Sequence, residues 1–405
     1  MTNCADPSQP EGDRSPLRTL RRRRIATICA GHAGVLRRGG TNTGPYDPRV
    51  ARPLTVVDLF AGAGGLSEGF SRVQCFRTVA AVENDCEAAV TFQANHPGVD
   101  VYAGDIGEWL KSDIRSADIV VGGPPCQGFS NLGARRVRDP RNALWRRYVD
   151  ALEAVAPLYF VLENVSDFLR SGQFRDLHRE TYRNGRLRGY RIQAVTVNAA
   201  EFGVPQIRRR AVVIGSHRDL AEVAPLTGSH PERCSWTTVR STISDLALEP
   251  DRVDLPNAHI EQDGVSLRGL FKTTELHLAR RPTKLSLDRY ASVPPGGNRK
   301  DIPDHLLADC WRAHTSGSGD VMGRLHWDRP AVTIRTEFWK PEKGRYLHPV
   351  ANRAITHHEA ARLQGFPDDY LWCGSKSAIG RQIGNAVPIL LAEAIAKHLG
   401  RAVRT

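Results

Sequence analysis

From Leu54 to Ser216 the chain repeats one pattern: a short apolar run, a turn rich in glycine or acid, then a segment with helical spacing. The runs are Thr55–Phe60 (TVVDLF), Thr78–Val82, Val99–Tyr102, Ala117–Val121, Tyr159–Leu162 (YFVL), Arg191–Val197 and Arg210–Ser216. They are too short and too evenly apolar for amphipathic helices, so they predict buried strands. Helical spacing begins at about Leu66 and recurs over Asp85–Asn95 and Leu144–Val155. This alternation predicts the α/β class, with a doubly wound, mostly parallel sheet. Ligands of such sheets lie beyond the carboxyl ends of the strands, so the residues that end each run are the candidates for function.

The flanking regions differ. Residues 1–50 are rich in Gly, Pro, Ser, Thr and Arg without apolar periodicity, which predicts a disordered Arg-rich tail. Residues 51–218 form the expected catalytic and cofactor-binding domain, and 219–324, rich in Pro, Gly, Ser and charge, a second, smaller, loop-rich domain. Residues 325–405 are expected to return to the first domain: Leu325–Thr336 (LHWDRPAVTIRT) has strand character, His357–Gln364 and Pro388–Leu399 helical character. A length of 405 residues accommodates two domains. No apolar run reaches the ~20 residues of a membrane span, and no apolar leader points to export. Cys4, Cys29, Cys75, Cys86, Cys126, Cys234, Cys310 and Cys373 form no CxxC pair, which speaks against a structural metal site and a disulfide framework. A reduced cytoplasmic setting is expected.

The formal net charge of +12 fits a polyanionic partner. Arginine supplies 48 of the 56 basic residues, a bias that a GC-rich coding sequence also produces. Clustering at Arg135–Arg147 and Arg208–Arg210 favours nucleic acid.

Four segments carry candidate chemistry. Gly122–Ser130 (GGPPCQGFS) places Cys126 after two prolines on a rigid turn at a strand end. Asp58–Phe70 (DLFAGAGGLSEGF) puts Gly62, Gly64 and Gly65 between a strand and a helix, where absent side chains and free N–H groups admit a ligand. Glu83 and Asp105 end the next two strands, suited to a ribose diol and an adenine amino group. This spacing implies a nucleoside-containing cofactor without choosing between a dinucleotide and S-adenosylmethionine. Glu163 closes the fifth run, and a partly buried carboxylate at such a point is a candidate acid/base. Gln206–Arg210 (QIRRR) alternates, so Gln206, Arg208 and Arg210 share one face.

Taken in order, DLFAGAGGLSEGF, Glu83, GDI (104–106), GGPPCQGFS, ENV (163–165), QIRRR, RPAVTIRT (329–336), HEAARLQGFPD (358–368) and QIGNAVP (382–388) resemble the cytosine-C5 DNA methyltransferases of bacterial restriction–modification systems. The resemblance spans 54–399 and implies S-adenosylmethionine as methyl donor, no metal, duplex DNA as substrate, a monomer, and possible association with a cognate restriction endonuclease. It implies that Phe60, Gly62, Gly64, Glu83, Asp105, Pro124 and Asn385 hold the cofactor. Cys126 matches the nucleophile, Glu163 the acid at the target base, and Arg208 and Arg210 the arginines beside it. Gln127, Ser130, Arg135, Arg136 and Gln206 are expected to face DNA, with 127–147 closing as a loop on its backbone. Residues 219–324 occupy the place of the target-recognition domain. Two departures stand out: Asn84 replaces a bulky apolar residue expected to stack on adenine, and His357-His358 stands where an Arg often precedes the helix. Two rival readings are a tRNA cytosine methyltransferase, whose Cys-Phe-Thr signature is absent, and a regulator that has lost catalysis, against which the intact Cys126, Glu163 and Arg208/Arg210 argue.

Overall fold

The computed structural model describes residues 52–112, 114, 116–125, 144–313 and 319–404. Cys126, Gln127, Ser130, Arg135, Arg136 and the N-terminal tail, all singled out above, lie outside the described residues.

Seven strands form the central sheet: β1 (Leu54–Leu59), β2 (Phe76–Glu83), β3 (Asp100–Ala103), β4 (Ile119–Gly122), β5 (Tyr159–Val165), β6 (Tyr190–Asn198) and β7 (Arg209–His217). Their order is β3-β2-β1-β4-β5-β7-β6. The first five run parallel, and β7 is antiparallel to both neighbours. The apolar runs form strands because both faces are covered. Val56 packs into one core cluster, while Val57 and Leu59 pack into another. Helices α1 (Gly65–Ser71), α2 (Cys86–Asn95), α3 (Ile106–Trp109), α4 (Leu144–Val155) and α5 (Gly172–Glu180) connect the strands. Asp85 caps α2, accepting from the Ala88 N–H at 3.2 Å, and Asp105 caps α3, accepting from Gly107 at 2.8 Å.

Beyond β7 the elements are short: α6 (Val239–Ile243), the hairpin β8 (His259–Gln262) and β9 (Val265–Arg268), β10 (Phe271–Lys272), α7 (Lys284–Ser292) and α8 (Asp309–Ala313). The chain then forms α9 (His357–Leu363), β11 (Leu371–Trp372), α10 (Lys376–Asn385) and α11 (Ile389–Arg404), with β11 pairing back onto β10. Val239, Ile243, Phe271 and Leu276 share one buried cluster with Ile334, Phe338, Trp372 and Ile383. α11 lies against α1 at a distance only glycine permits: a Cβ on Gly69 would stand 2.4 Å from that of Ala392.

One expectation about an element changes, that for Leu325–Thr336. The fifth strand is closed by Glu163, Asn164 and Val165, as expected. β4 ends at Gly122 opposite Leu162, but β7 continues pairing with β5 through Glu163, Asn164 and Val165. Those three residues therefore overhang the end of β4. Leu325–Thr336, expected to be strand-like, forms no strand; isolated bridges at Arg324 and Ala331 tie it down. Pro330 lacks the N–H that a ladder needs, and a turn at Trp327-Asp328 interrupts the run. Among the described residues no helix is long and apolar enough to cross a membrane.

Candidate active site

The ends of β1, β2 and β3 lie side by side. Neighbouring strands stand about 4.8 Å apart, so three ends span roughly 10 Å, the scale of an adenosine. Phe60 leaves β1 with φ 57° and Gly62 follows with φ 56°, a conformation that turns the chain sharply across the sheet edge. The Gly62 N–H donates to Glu83 Oε2 at 2.8 Å, and the Asp85 N–H donates to Glu83 Oε1 at 2.7 Å. Burial pushes the Glu83 carboxyl above its ordinary range, and these two N–H groups oppose the rise. Each carboxylate oxygen has a further lone pair for a diol. The glycines divide their tasks. A Cβ on Gly62 would meet nothing within 4 Å, which leaves that position open to a ligand. One on Gly64, at φ 92°, would lie 3.0 Å from both His96 Nε2 and Tyr370 Oη. One on Gly65 would lie 2.3 Å from the Val387 carbonyl oxygen. Gly64 and Gly65 thus serve packing, and the GNAVP segment rests directly on the turn. The Asp105 and Asn385 side chains are exposed.

The second half of the site stands on the β5 overhang. Glu163 is 7% exposed and its Oε1 is 2.8 Å from Arg210 Nε. That contact is an ion pair by distance, yet among the described residues the oxygen receives no aligned hydrogen bond. Burial lowers the Arg210 pKa and the Glu163 charge opposes this. Gly123 lies against the same carboxylate: a Cβ there would be 3.5 Å from Glu163 Oε2. Asn164, 5% exposed, donates through Nδ2 to the Pro124 carbonyl at 2.9 Å and accepts from the Val165 N–H at 2.8 Å. Pro124 and Pro125 thus reach the Cys126 position with their backbone anchored to the strand bearing Glu163.

The remaining QIRRR residues need correcting. Alternation holds, with Gln206 and Arg208 buried and Ile207 and Arg209 exposed. The buried side chains turn inward, however. Gln206, expected to face DNA, is 0% exposed; its Nε2 donates to the Leu363 carbonyl and Gln364 Oε1, and its Oε1 accepts from the Ile334 N–H at 2.9 Å. Arg208, expected beside the target base, donates to the carbonyls of Ile334, Gly384 and Ala386 at 2.9–3.2 Å. Burial lowers its pKa to about 9, and the Arg210 charge adds to this. Both clamp the RPAVTIRT, RLQGF and GNAVP segments to the sheet, which leaves Arg210 as the arginine paired with Glu163.

Sequence reasoning missed two supports. Asp58 is wholly buried on β1, its Oδ2 accepting from Ser67 Oγ at 2.7 Å and its Oδ1 lacking a partner. Burial raises its pKa to about 7, against the lowering effect of Ser67. An acid inside an otherwise apolar run was the visible signal. Tyr148 on α4 donates its hydroxyl to the Val161 carbonyl at 2.7 Å, pinning that helix to the sheet. The His357-His358 departure is also explained. His358 Nε2 lies 2.9 Å from Asp368 Oδ1, which Arg362 also binds; His357 stacks on Trp339 at 5.2 Å.

This sheet order, with an antiparallel β7 and polar groups at adjacent strand ends, defines the fold of S-adenosylmethionine-dependent methyltransferases. A family model for the C-5 cytosine-specific DNA methylases matches residues 54–401. The chain is 33% identical over 375 residues to the Type II methyltransferase M.DdeI of Desulfomicrobium norvegicum, covering 85% of this chain and 88% of the relative. It is 35% identical over 355 residues to M1.HphI of Haemophilus parahaemolyticus, covering 85% and 86%. A solved structure described as a DNA modification methyltransferase encoded within an Escherichia coli prophage superposes with a TM-score of 0.63 at 27% identity, covering 87% of this chain and 100% of that one. The chain belongs to the C-5 cytosine-specific DNA methylase family. Its reaction is methylation of DNA at C5 of cytosine. Among the described residues no group of His, Cys, Asp and Glu is arranged to hold a metal.

Proposed function

We propose that the enzyme transfers a methyl group from S-adenosylmethionine to C5 of a cytosine flipped from a specific duplex sequence, through a covalent bond between Cys126 Sγ and C6. The observation that carries this reading is the buried Glu163–Arg210 pair beside the Gly123-Pro124 backbone that Asn164 anchors.

The open face of Gly62, the Glu83 carboxylate and the exposed Asp105 fit an adenosine, with Phe60 at the turn and Pro124 and Asn385 toward the methionine end; Gly64 supports the turn from beneath. When bound, S-adenosylmethionine supplies an electrophilic methyl group. C5 of cytosine is a poor nucleophile, so the Cys126 thiolate first adds to C6. A free thiol titrates at about 8.5, and the Arg210 charge beside Glu163 favours the thiolate. Glu163 relays a solvent proton to N3, and the ring takes the electron pair there as sulfur adds. C5, now enamine-like, takes the methyl group, and S-adenosylhomocysteine is the leaving group. Water takes the C5 proton; the C5–H electron pair forms C5=C6 and expels Cys126 as thiolate, and N3 gives its proton back through Glu163. Extruding the base from the duplex exposes both ring faces to the site.

Residues 219–324 fit a target-recognition domain, and Gln127, Ser130, Arg135 and Arg136 are the residues that we propose contact DNA. We infer a monomer that works in the cytoplasm, paired with an endonuclease of the same site as Type II systems are. Radiolabelled methyl transfer to duplex DNA and to total tRNA tests the substrate, and bisulfite sequencing of host DNA reads the site. Label in DNA at C5 of one sequence context is expected; label in tRNA alone would overturn the reading.

A further inference from the structure

The departure at Asn84 leaves the cofactor pocket without the flat apolar surface expected beside Glu83, and Asn84 is exposed. The structure brings another side chain to the pocket's edge. α4 begins at Leu144 and packs, through Trp145 and Tyr148, in the cluster that holds Phe60, Tyr102 and Ile106, the residues around the ends of β1 and β3. On its first turn the Arg147 guanidinium reaches the Asp105–Gly107 turn. A Cβ on Gly107 would stand 2.9 Å from Asp105 Oδ1, 3.6 Å from Arg147 Nε and 3.7 Å from its Cζ. Carboxylate and guanidinium therefore both border the space over one glycine, each within 4 Å of where a Gly107 side chain would begin. Asp105 Oδ1 is engaged by the Gly107 N–H, and Arg147 Nη1 is steadied by Asp150 at 3.1 Å.

We propose that Arg147 is a cofactor-binding residue whose planar guanidinium closes the Asp105 edge of the pocket and gives the adenine the stacking face that Asn84 does not. Guanidinium stacks on aromatic faces through both planarity and charge, which an ammonium does not reproduce. The missing Gly107 side chain leaves room for the adenine edge between the Arg147 guanidinium and the Asp105 carboxylate. The inference rests on the reading of Asp105 as the adenine-facing acid.

Calorimetric titration of the full chain with S-adenosylhomocysteine separates the two. Arg147 is about half exposed, so its removal does not threaten the fold; Asp105→Asn keeps an oxygen to cap α3. Arg147→Ala is expected to weaken binding roughly three- to ten-fold, the range of a partly exposed cation–π contact. Arg147→Lys is expected to stay within about two-fold of Arg147→Ala, because the planar face is what matters. Asp105→Asn is expected to weaken binding as well. Wild-type affinity in Arg147→Ala, with Asp105→Asn weakened, would overturn the role of Arg147 alone. Full recovery by Arg147→Lys would overturn the stacking face. Wild-type affinity in both Arg147→Ala and Asp105→Asn would overturn the reading of Asp105 beneath it.

Discussion

Asn164 Nδ2 donates to the Pro124 carbonyl at 2.9 Å, joining the strand that carries Glu163 to the backbone two residues before Cys126. The bond is possible because β5 overruns β4 by three residues, so its side chains face the loop that leaves Gly122. Glu163 and the Pro124 backbone are thus set on one frame. Asn164→Asp replaces the donor with an acceptor facing a carbonyl. We expect kcat to fall roughly 10²-fold, the size of an ~1 Å misplacement of reacting groups. Binding of S-adenosylhomocysteine should weaken less than kcat, since the Gly62 turn and Glu83 are held by bonds that do not involve Asn164. Single-turnover methyl transfer and calorimetry read the two effects separately.

The Glu163–Arg210 pair predicts different outcomes for its two members. Glu163→Gln keeps the shape and loses the proton exchange at N3, so methyl transfer should drop by about 10²–10⁴; it also takes the counter-charge from Arg210, and the retained amide oxygen keeps the loss of stability below that of Arg210→Ala. Arg210→Ala leaves a buried carboxylate without its counter-charge and should destabilise the fold by about 3–5 kcal/mol, an upper range because the pair is not fully sealed. Thermal melts beside single-turnover rates distinguish the two.

Asp58 makes stability depend on pH in a stated direction. Burial raises its carboxyl from 3.8 to about 7, so the folded chain keeps a proton that the unfolded chain releases. The stabilisation this gives is fully present below about pH 4, and it is lost as pH rises through about 7, by up to ~1.4 kcal/mol per pH unit. Asp58→Asn removes the linkage. Urea unfolding at pH 5 and pH 8 should show the variant gaining on wild type as pH rises; a pH-independent difference would contradict this.

Gln206 and Arg208 should behave as supports and not as DNA contacts. Gln206→Ala orphans the Ile334 N–H and the Gln364 side chain, at about 1–3 kcal/mol for each buried group left unpaired. The salt dependence of DNA binding by the folded variant should be unchanged. Loss of a phosphate contact would reduce the slope of log affinity against log salt by about one. Titrations at several salt concentrations make the comparison.

These residues also show what can be read in the sequence. The strand ends of β1 to β3 were legible because each apolar run stops at a glycine or an acid, and local burial alone dictates that pattern. Alternation in QIRRR was legible too, but its direction was not. Which face is interior is decided by Ile334, Leu363 and Gly384, 126, 157 and 176 positions away in the pairs concerned. The glycines mislead for a related reason: Gly62 is empty for a ligand and Gly65 for the Val387 carbonyl, and both look alike before the chain is folded. Asn164 was visible as part of ENV, but its acceptor depends on a strand overhang that only the pairing with β7 creates. Tyr148 looked like one more apolar position on a helix, and its hydroxyl acceptor lies on a different element.

The proposed mechanism requires a covalent bond from Cys126 Sγ to C6 of cytosine. Incubating the enzyme with S-adenosylmethionine and duplex DNA carrying 5-fluorocytosine at the target site blocks the final proton loss, so the adduct should persist. Intact-mass measurement should give protein plus the methylated strand for wild type and no adduct for Cys126→Ser, which should still bind the duplex. Wild-type protein that methylates ordinary duplex DNA yet forms no adduct, or an adduct that survives Cys126→Ser, would contradict the mechanism.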